Sequence, residues 1–225
     1  MSRVLAIGDV HCPAMKEGYA EFCYDIAEQW SCDRVVLIGD VLDWASISFH
    51  PKAPSLKNPE VEFEAAMKQI SRLYELFPEA DVMVGNHDCL SERQATEVGL
   101  PISLLKEYSD LTETPGWTWH PRYSDLIIDD VIYRHGDKGK GGSFAALKNA
   151  KEEMRSLVQG HLHAQSNIGF FACESKRIFG MQTGCGVDRH HPAMQYGKTY
   201  SAKPILSCGV VLDGTTPVVE PWEVN

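Results

Sequence analysis

The sequence predicts an α/β fold in which two packed mixed β-sheets are flanked by helices. In the first half, short apolar runs alternate with amphipathic stretches, as in folds whose helices cross over between strands. After Pro115 the strand-like runs become shorter and follow one another closely, which indicates a second sheet packed against the first. The chain of 225 residues has no Pro/Ser-rich linker and no repeat, so we expect a single domain, residues 1–225.

The first half is expected to contain three buried strands and two helices. Apolar residues recur at helical spacing over residues 19–30 and again over residues 63–77, giving each stretch one apolar face. The Pro-bearing stretch 49–59 is expected to be a long surface loop. The predicted strands are residues 3–7, 34–38 and 81–84.

The second half is expected to supply the second sheet. One helix, over residues 144–154, interrupts its strand-like pieces. These pieces are residues 126–129, 131–134, 167–172, 177–181 and 206–212.

The amino-acid composition indicates the cellular compartment and the kinds of binding partner. A formal net charge of −10 argues against a broad electrostatic grip on nucleic acid, because phosphate backbones are held mainly by clustered Lys and Arg. The seven cysteines are odd in number and form no Cys-x-x-Cys pair, which favours a reducing compartment. No apolar run approaches the roughly 20 residues that cross a bilayer, and the N-terminal run is too short for a signal peptide. We therefore expect a cytoplasmic protein with no membrane partner.

A recurring local pattern places metal-ligand residue types directly after predicted strands. An apolar strand is followed by glycine and then by Asp, Asn or His in four places, Gly8-Asp9, Gly39-Asp40, Gly85-Asn86 and Gly160-His161. A fifth group begins at His135 without the leading glycine. Loops that leave the carboxyl ends of strands converge in α/β sheets although they are distant in sequence. Five of the nine histidines belong to these groups, namely His11, His87, His135, His161 and His163.

The residue types in these groups indicate the chemistry. A mixed Asp/His/Asn set without cysteine suits manganese, iron, zinc, cobalt or nickel better than an all-oxygen magnesium or calcium site. A carboxylate can bridge two cations whereas an imidazole cannot, so a central Asp among His-rich groups favours a binuclear centre. Two cations about 3.5–4 Å apart can activate a water and hold phosphoryl oxygens.

The ordered motifs resemble those of the calcineurin-like metallophosphoesterase family, particularly its small bacterial or phage-encoded members. The resemblance extends from residue 9 to residue 163, and the segment after Ala164 carries no family motif. It implies a two-sheet sandwich fold and hydrolysis of a phosphate ester. The motifs are Asp9-x-His11, Gly39-Asp40-x-x-Asp43, Gly85-Asn86-His87-Asp88, His135 and Gly160-His161-x-His163.

The resemblance also implies roles for the residues of these motifs. It places one divalent cation on Asp9, His11, Asp40 and His163. It places the other on Asp40, Asn86, His135 and His161, so that Asp40 bridges the two. His87 would donate a proton to the leaving oxygen and Asp43 would orient its imidazole, after attack by a metal-bridging hydroxide. Manganese is the favoured metal, with zinc, iron, nickel or cobalt as alternatives, and Asp88 receives no role.

The sequence argues against some classes of substrate but leaves several open. Phosphoprotein phosphatases of this family usually carry Arg next to the position of Asp43 and Glu in place of Asp88, and neither is present here. No Lys/Arg cluster marks a nucleic-acid track. Hydrolysis of a phosphodiester is therefore slightly preferred over a nuclease acting on DNA or RNA ends and over a phosphomonoesterase. A non-catalytic metal-binding scaffold is least favoured because no motif residue is lost.

Other residues give weaker signals. The loop 136–142, with Lys138 and Lys140, lacks the Gly-Lys-Ser/Thr ending of a P-loop, so we interpret it as a plain flexible loop. Trp44, Trp117 and Trp119 offer faces for stacking, but packing is the simpler interpretation. The oligomeric state is left open.

Overall fold

Residues 1–49, 56–197 and 201–222 are described by a computed structural model, the side chains of 195–197 excepted. Within these residues the chain forms a six-stranded and a five-stranded sheet. The strands are β1 (Arg3–Ile7), β2 (Arg34–Leu37), β3 (Ala80–Met83), β4 (Trp117–His120), β5 (Leu126–Ile128), β6 (Val131–Arg134), β7 (Ser156–Gln159), β8 (Ser166–Ala172), β9 (Arg177–Thr183), β10 (Ser207–Leu212) and β11 (Thr216–Pro221). The helices are α1 (Tyr19–Trp30), α2 (Pro59–Leu76), α3 (Leu90–Glu97), α4 (Tyr108–Leu111) and α5 (Ala145–Glu153).

The two sheets are mixed, and each has a parallel centre. The first has the order β11-β10-β1-β2-β3-β4, in which β1 to β4 run parallel, β10 pairs antiparallel with β1, and β11 pairs antiparallel with β10. The second has the order β5-β6-β7-β9-β8, in which β6, β7 and β9 run parallel. The parallel strands of each sheet therefore end at a common edge, where their outgoing loops meet.

The core explains why β1 is apolar at nearly every position. Val4 and Ala6 pack with Tyr133 and Phe179 of the second sheet, whereas Leu5 and Ile7 pack beneath α1 and α2. Alternate residues of a strand point to opposite faces, so a strand that is covered on both faces has no polar side. Helix α5 covers the outer face of the second sheet. The layers are helix, sheet, sheet, helix.

Local signals account for the two long helices. Cys23, Ile26 and Ala27 of α1 lie on its buried face, as the helical spacing predicts. The side chain of Asn58 caps α2 by accepting hydrogen bonds from the first-turn amides, and Pro59 occupies the first helical position. Within the described residues, no helix combines the length and apolarity that crossing a bilayer requires. All seven cysteines are free.

The predicted fold class is confirmed, but two predictions about elements were wrong. The strand predicted at 206–212 exists as β10, yet it extends the first sheet along β1 instead of joining the second. Hydrogen-bond pairing between distant strands decides this, and a single strand pattern does not encode it. The loop predicted at 49–59 ends earlier, because Pro59 begins α2, and its residues 50–55 lie outside the described part. Strands β4 and β11 and helix α3 were not predicted.

Candidate metal centre

The predicted ligands all follow the carboxyl ends of parallel strands, and the loops that carry them meet. The backbone amide of His11 donates to the carbonyl oxygen of Asp40 at 2.8 Å, which ties the loop after β1 to the loop after β2. The amide of Gly160 donates to the carbonyl oxygen of His135 at 2.9 Å, tying the loops after β7 and β6. The amide of His161 donates to the Asp9 carboxylate and so joins the two sheets.

One cluster is formed by Asp9, His11 and His163, whose potential ligand atoms all lie within 4.8 Å of one another. His11 Nε2 is 3.1 Å from His163 Nε2, and His163 Nε2 is 3.7 Å from Asp9 Oδ1. Asp9 and His11 are fully buried. Three groups able to bind one cation thus point at a shared space.

A second cluster is formed by Asp40, His135 and His161, again with ligand atoms within 4.8 Å of one another. The side-chain oxygen of Asn86 lies 3.0 Å from His135 Nε2 and so belongs to the same group. Asp40 lies between the clusters, since its Oδ2 is 3.5 Å from His11 Nε2 and 3.3 Å from His135 Nε2. This is the position that a bridging carboxylate requires.

The hydrogen bonds of two histidines fit a metal site. His11 Nδ1 lies 2.8 Å from the Asp43 carboxylate and His135 Nδ1 lies 2.9 Å from the carbonyl oxygen of Ile38. An acceptor at Nδ1 fixes a proton there, so both Nε2 atoms face inward, each as the ring nitrogen that offers a lone pair once its own proton is removed. There they meet another imidazole nitrogen, an amide oxygen and the Asp40 carboxylate. Potential ligand atoms gathered 3.0–3.5 Å apart are what a divalent cation would bind.

The charges of the cluster shift its pKa values. Although burial alone would raise it, the neighbouring charges of His135, His87 and His11 hold the pKa of Asp40 well below its usual range. Burial lowers the pKa of His135, but the carboxylate of Asp40 outweighs it and raises the pKa to about 10. Burial lowers the pKa of His11 and of His161. Without cations, a proton on His135 balances Asp40, so metal binding would displace that proton.

His87 and Asp43 form a pair beside the two clusters, and a ring nitrogen of His87 also lies within 4.8 Å of potential ligand atoms of His11 and Asp40. His87 Nδ1 lies 2.8 Å from the Asp43 carbonyl oxygen and 3.1 Å from the Asp43 carboxylate, while its backbone amide donates to Asp40. Asp43 is buried and contacts His11 with the same carboxylate oxygen, so it orients two imidazoles. His87 keeps 22% of its side chain exposed, which leaves Nε2 as the ring nitrogen that a ligand can reach.

Asp88 has a structural position that its motif did not reveal. It is fully buried, and its two carboxylate oxygens accept hydrogen bonds from the amides of Leu42 and Gly85, both at 2.8 Å. It therefore fastens the loop after β2 to the loop after β3. Burial, with the nearby charge of Asp40, raises the pKa of Asp88 to about 7.

Arg122 lies at the edge of the site and was not predicted from the sequence. Its guanidinium pairs with the Asp137 carboxylate at 2.7 Å and donates to the sulfur of Cys89 at 3.2 Å. Cys89 follows the loop of Asn86 and His87, and Asp137 follows His135 closely. Arg122 thus connects two ligand-bearing loops, and an isolated arginine after β4 gave no sequence signal for this.

The weaker sequence candidates lie outside the clusters. Lys140 pairs with Glu152, and Lys138 lies 3.5 Å from the backbone carbonyl oxygen of Tyr123. Trp117 is buried and donates to the carbonyl oxygen of Phe77, so it packs as expected. Trp44 stacks on Phe63 at 5.4 Å between ring centroids.

Solved structures with a similar fold include phosphoesterases. YfcE, a phosphoesterase from E. coli, is 15% identical over 92% of this chain and 87% of its own, with a TM-score of 0.48. A metallophosphoesterase from Sphaerobacter thermophilus is 14% identical over 99% and 88%, with a TM-score of 0.48. Vacuolar Protein Sorting 29 from Cryptosporidium parvum is 15% identical over 99% and 98%, with a TM-score of 0.45.

A further solved chain aligns over 99% of both chains with a TM-score of 0.53 at 10% identity, so the likeness concerns the fold. No profile of a known protein family matches the sequence. No curated protein matches it significantly. The resemblance to calcineurin-like metallophosphoesterases therefore rests on the ordered motifs of the sequence. The structure adds to the motifs that their Asp and His side chains gather into clusters able to hold metal ions.

Proposed function

We propose that this chain is a two-metal phosphoesterase that hydrolyses a phosphate ester, with phosphodiesters slightly preferred. The observation that carries the proposal is the position of Asp40. Its Oδ2 lies 3.5 Å and 3.3 Å from the inward Nε2 atoms of His11 and His135. A buried carboxylate between two sets of donors is the arrangement that holds a pair of cations at bridging distance.

The two cations would be held by residues of both sheets. Asp9, His11, Asp40 and His163 would hold one, and Asp40, Asn86, His135 and His161 the other. When bound, the cations supply an activated water and neutralise the charge of the phosphoryl oxygens. The mixed nitrogen and oxygen donors favour manganese, with zinc, iron, nickel or cobalt as alternatives.

His87 would donate the proton that the leaving oxygen needs. Although burial lowers it, the charge of Asp40 and the hydrogen bonds to Asp43 raise the pKa of His87 to about 10. Bound cations would offset the Asp40 charge, which leaves Asp43 as the group that keeps the imidazole protonated. Because Asp43 occupies Nδ1, the proton for transfer lies on the more accessible Nε2.

The surroundings favour a small substrate. The protein carries a net charge of −10, and Arg122, which connects two of the ligand-bearing loops, is already paired with Asp137. A nucleic-acid backbone would need several unpaired cations along its path. A small phosphodiester needs only the metal pair and a proton donor, which is why it is preferred over DNA or RNA ends.

The test is an assay of metal-stripped protein with bis-p-nitrophenyl phosphate and p-nitrophenyl phosphate side by side. Manganese, nickel, zinc or magnesium is added singly. We expect turnover with at least manganese and a higher kcat/KM for the diester. A higher kcat/KM for the monoester would mean that the protein is a phosphomonoesterase instead of a phosphodiesterase. No turnover of either substrate with any metal would contradict the proposal and favour a binding scaffold.

Removal of the bridge tests the metal assignment directly. Asp40→Ala should bind neither cation tightly, because both clusters lose a ligand and their remaining histidines repel each other when charged. Metal content after dialysis, measured by mass spectrometry, should fall from two ions per chain to near zero. Asp25→Ala, on the outer part of α1, is the control and should retain both ions. A content of two in Asp40→Ala would show that the bridge is misassigned.

A further inference from the structure

An exposed apolar ridge follows helix α3. It consists of Val98, Leu100, Ile102 and Leu104, whose exposed fractions are 69%, 53%, 51% and 72%. Single exposed apolar residues are ordinary on protein surfaces, but four within seven positions concentrate apolar surface in one short segment. Such patches are characteristic of surfaces that another molecule covers.

The ridge is held in place by backbone hydrogen bonds. The amide of Leu100 donates to the carbonyl oxygen of Ala95 at 2.8 Å, closing the end of α3. The amide of Leu104 donates to the carbonyl oxygen of Pro101 at 3.0 Å, within a short 3₁₀ turn. A surface that is already ordered loses little conformational entropy when a partner covers it.

A recess lies beside the ridge. Its volume is about 450 Å³, and it is lined by Phe49, Glu92, Arg93, Thr96, Glu97 and Ile102. Ile102 thus belongs both to the ridge and to the wall of the recess. The same face therefore offers a protrusion, with Leu104 the most exposed member, and a hollow into which an apolar side chain fits.

The rim of this face carries both signs of charge. Arg93 and Glu97 are exposed and lie one helical turn apart on α3. The guanidinium of Arg93 lies over the ring of Phe49 at 4.9 Å, and within the described residues neither charge has an ion-pair partner. In a twofold interface each residue meets the counterpart of its neighbour, so a face of this kind is complementary to itself.

We propose that the ridge and recess form a homodimer interface, with a second copy of this chain as the occupant. Leu104 of each copy enters the recess of the other, and Arg93 of each copy faces Glu97 of the other. The opposite charges offset the repulsion between two chains of net charge −10.

Sedimentation velocity at physiological salt tests this across about 1–200 µM protein, the range in which modest interfaces dissociate. We expect the wild type to reach twice the 25.1 kDa chain mass. Leu104→Ser should raise the dimer Kd by about tenfold or more. Ile127→Ser, which alters another exposed apolar residue, on β5, should leave Kd unchanged. Circular dichroism establishes that each variant is folded.

Charge exchange tests the twofold arrangement. Arg93→Glu and Glu97→Arg should each weaken self-association, since each brings like charges together. An equimolar mixture of the two variants should associate again, and so should the double exchange R93E/E97R. A wild type that stays at 25.1 kDa throughout the range would overturn the proposal. Dimerisation that Leu104→Ser leaves unchanged would overturn it as well.

Discussion

Gly85 and Gly160 lie where carboxylates of other motifs need room. A Cβ added at Gly85 would overlap the carboxylate of Asp40, and one at Gly160 would overlap that of Asp9. Each glycine thus leaves space for a ligand carboxylate that follows a different strand. The need for a tight turn at the glycine does not explain this. The backbone of the ligand residues is itself strained, since Asp9, Asp40 and His161 all have positive φ.

Gly85→Ala therefore tests the packing of the bridge. The added methyl group must displace Asp40, so we expect a loss of metal and a decrease of about 1–3 kcal/mol in the free energy of unfolding. Metal content and chemical denaturation measure the two effects. Gly141→Ala is the matched control, because a Cβ there meets nothing within 4 Å. Equal metal content and equal stability of the two variants would mean that the site tolerates a methyl group beside Asp40.

His87 is tested by its dependence on the leaving group. His87→Ala should retain both cations but lose about 10²–10⁴-fold in kcat with poorly departing alcohols, and much less with p-nitrophenolate. A proton donor matters most where the leaving oxygen is most basic. His190→Ala, at an exposed position, is the control. An equal loss with both kinds of leaving group would remove the acid role from His87.

At the scale of elements, strand β6 and helix α5 are joined by a buried arginine. Arg134 Nη2 pairs with Glu153 at 2.8 Å and also donates to Asp125 at 3.3 Å. The hydrogen bond from Arg134 lowers the pKa of Glu153. A carboxyl whose pKa is lowered on folding stabilises the protein above its unfolded pKa, and this contribution is lost as pH falls through the folded value.

Glu153→Gln should therefore reduce the free energy of unfolding near neutral pH and have no effect in acid. The side chain of Glu153 is 39% exposed, so solvent screening keeps the expected loss below about 1 kcal/mol. Urea denaturation at about pH 7 and about pH 3 measures the difference. Glu152→Gln, on the same helix but paired with an exposed lysine, is the comparison and should show a smaller effect. A loss that persists in acid would exclude the ion pair as its cause.

At the scale of the molecule, both sheets share one core. Val4, Val36 and Met83 of the first sheet pack with Tyr133 and Phe179 of the second. Neither sheet can lose the other without exposing these residues. We therefore propose that residues 1–225 fold as a single domain, as the sequence led us to expect.

Thermal unfolding tests this proposal. We expect one cooperative transition, and we expect manganese to raise its midpoint temperature. A ligand at 100 times its Kd stabilises the folded state by about 2.7 kcal/mol. Differential scanning calorimetry with and without manganese measures both properties, and Asp40→Ala supplies the control that should not respond. Two separated transitions would contradict a single domain.

The fold was predictable where the pattern is local. Tyr19–Trp30 and Arg3–Ile7 were predicted with their observed bounds, because apolar spacing and strand length depend on neighbouring residues alone. Trp117–His120 was missed because four residues give too short a pattern to identify a strand, and parallel pairing with β3 makes this segment one. The segment 206–212 was predicted as a strand in the wrong sheet for the related reason that partner choice is nonlocal.

The sequence by itself determined which side chains are available for the site and the order in which the strands deliver them. Tertiary structure alone decided that Asp40 lies between two clusters, that Asp88 joins Leu42 to Gly85, and that Arg122 reaches Asp137. The physical reason is that residue type and periodicity are properties of adjacent positions. Hydrogen bonds and metal ligation depend on distances between segments that only the packing of the two sheets brings together.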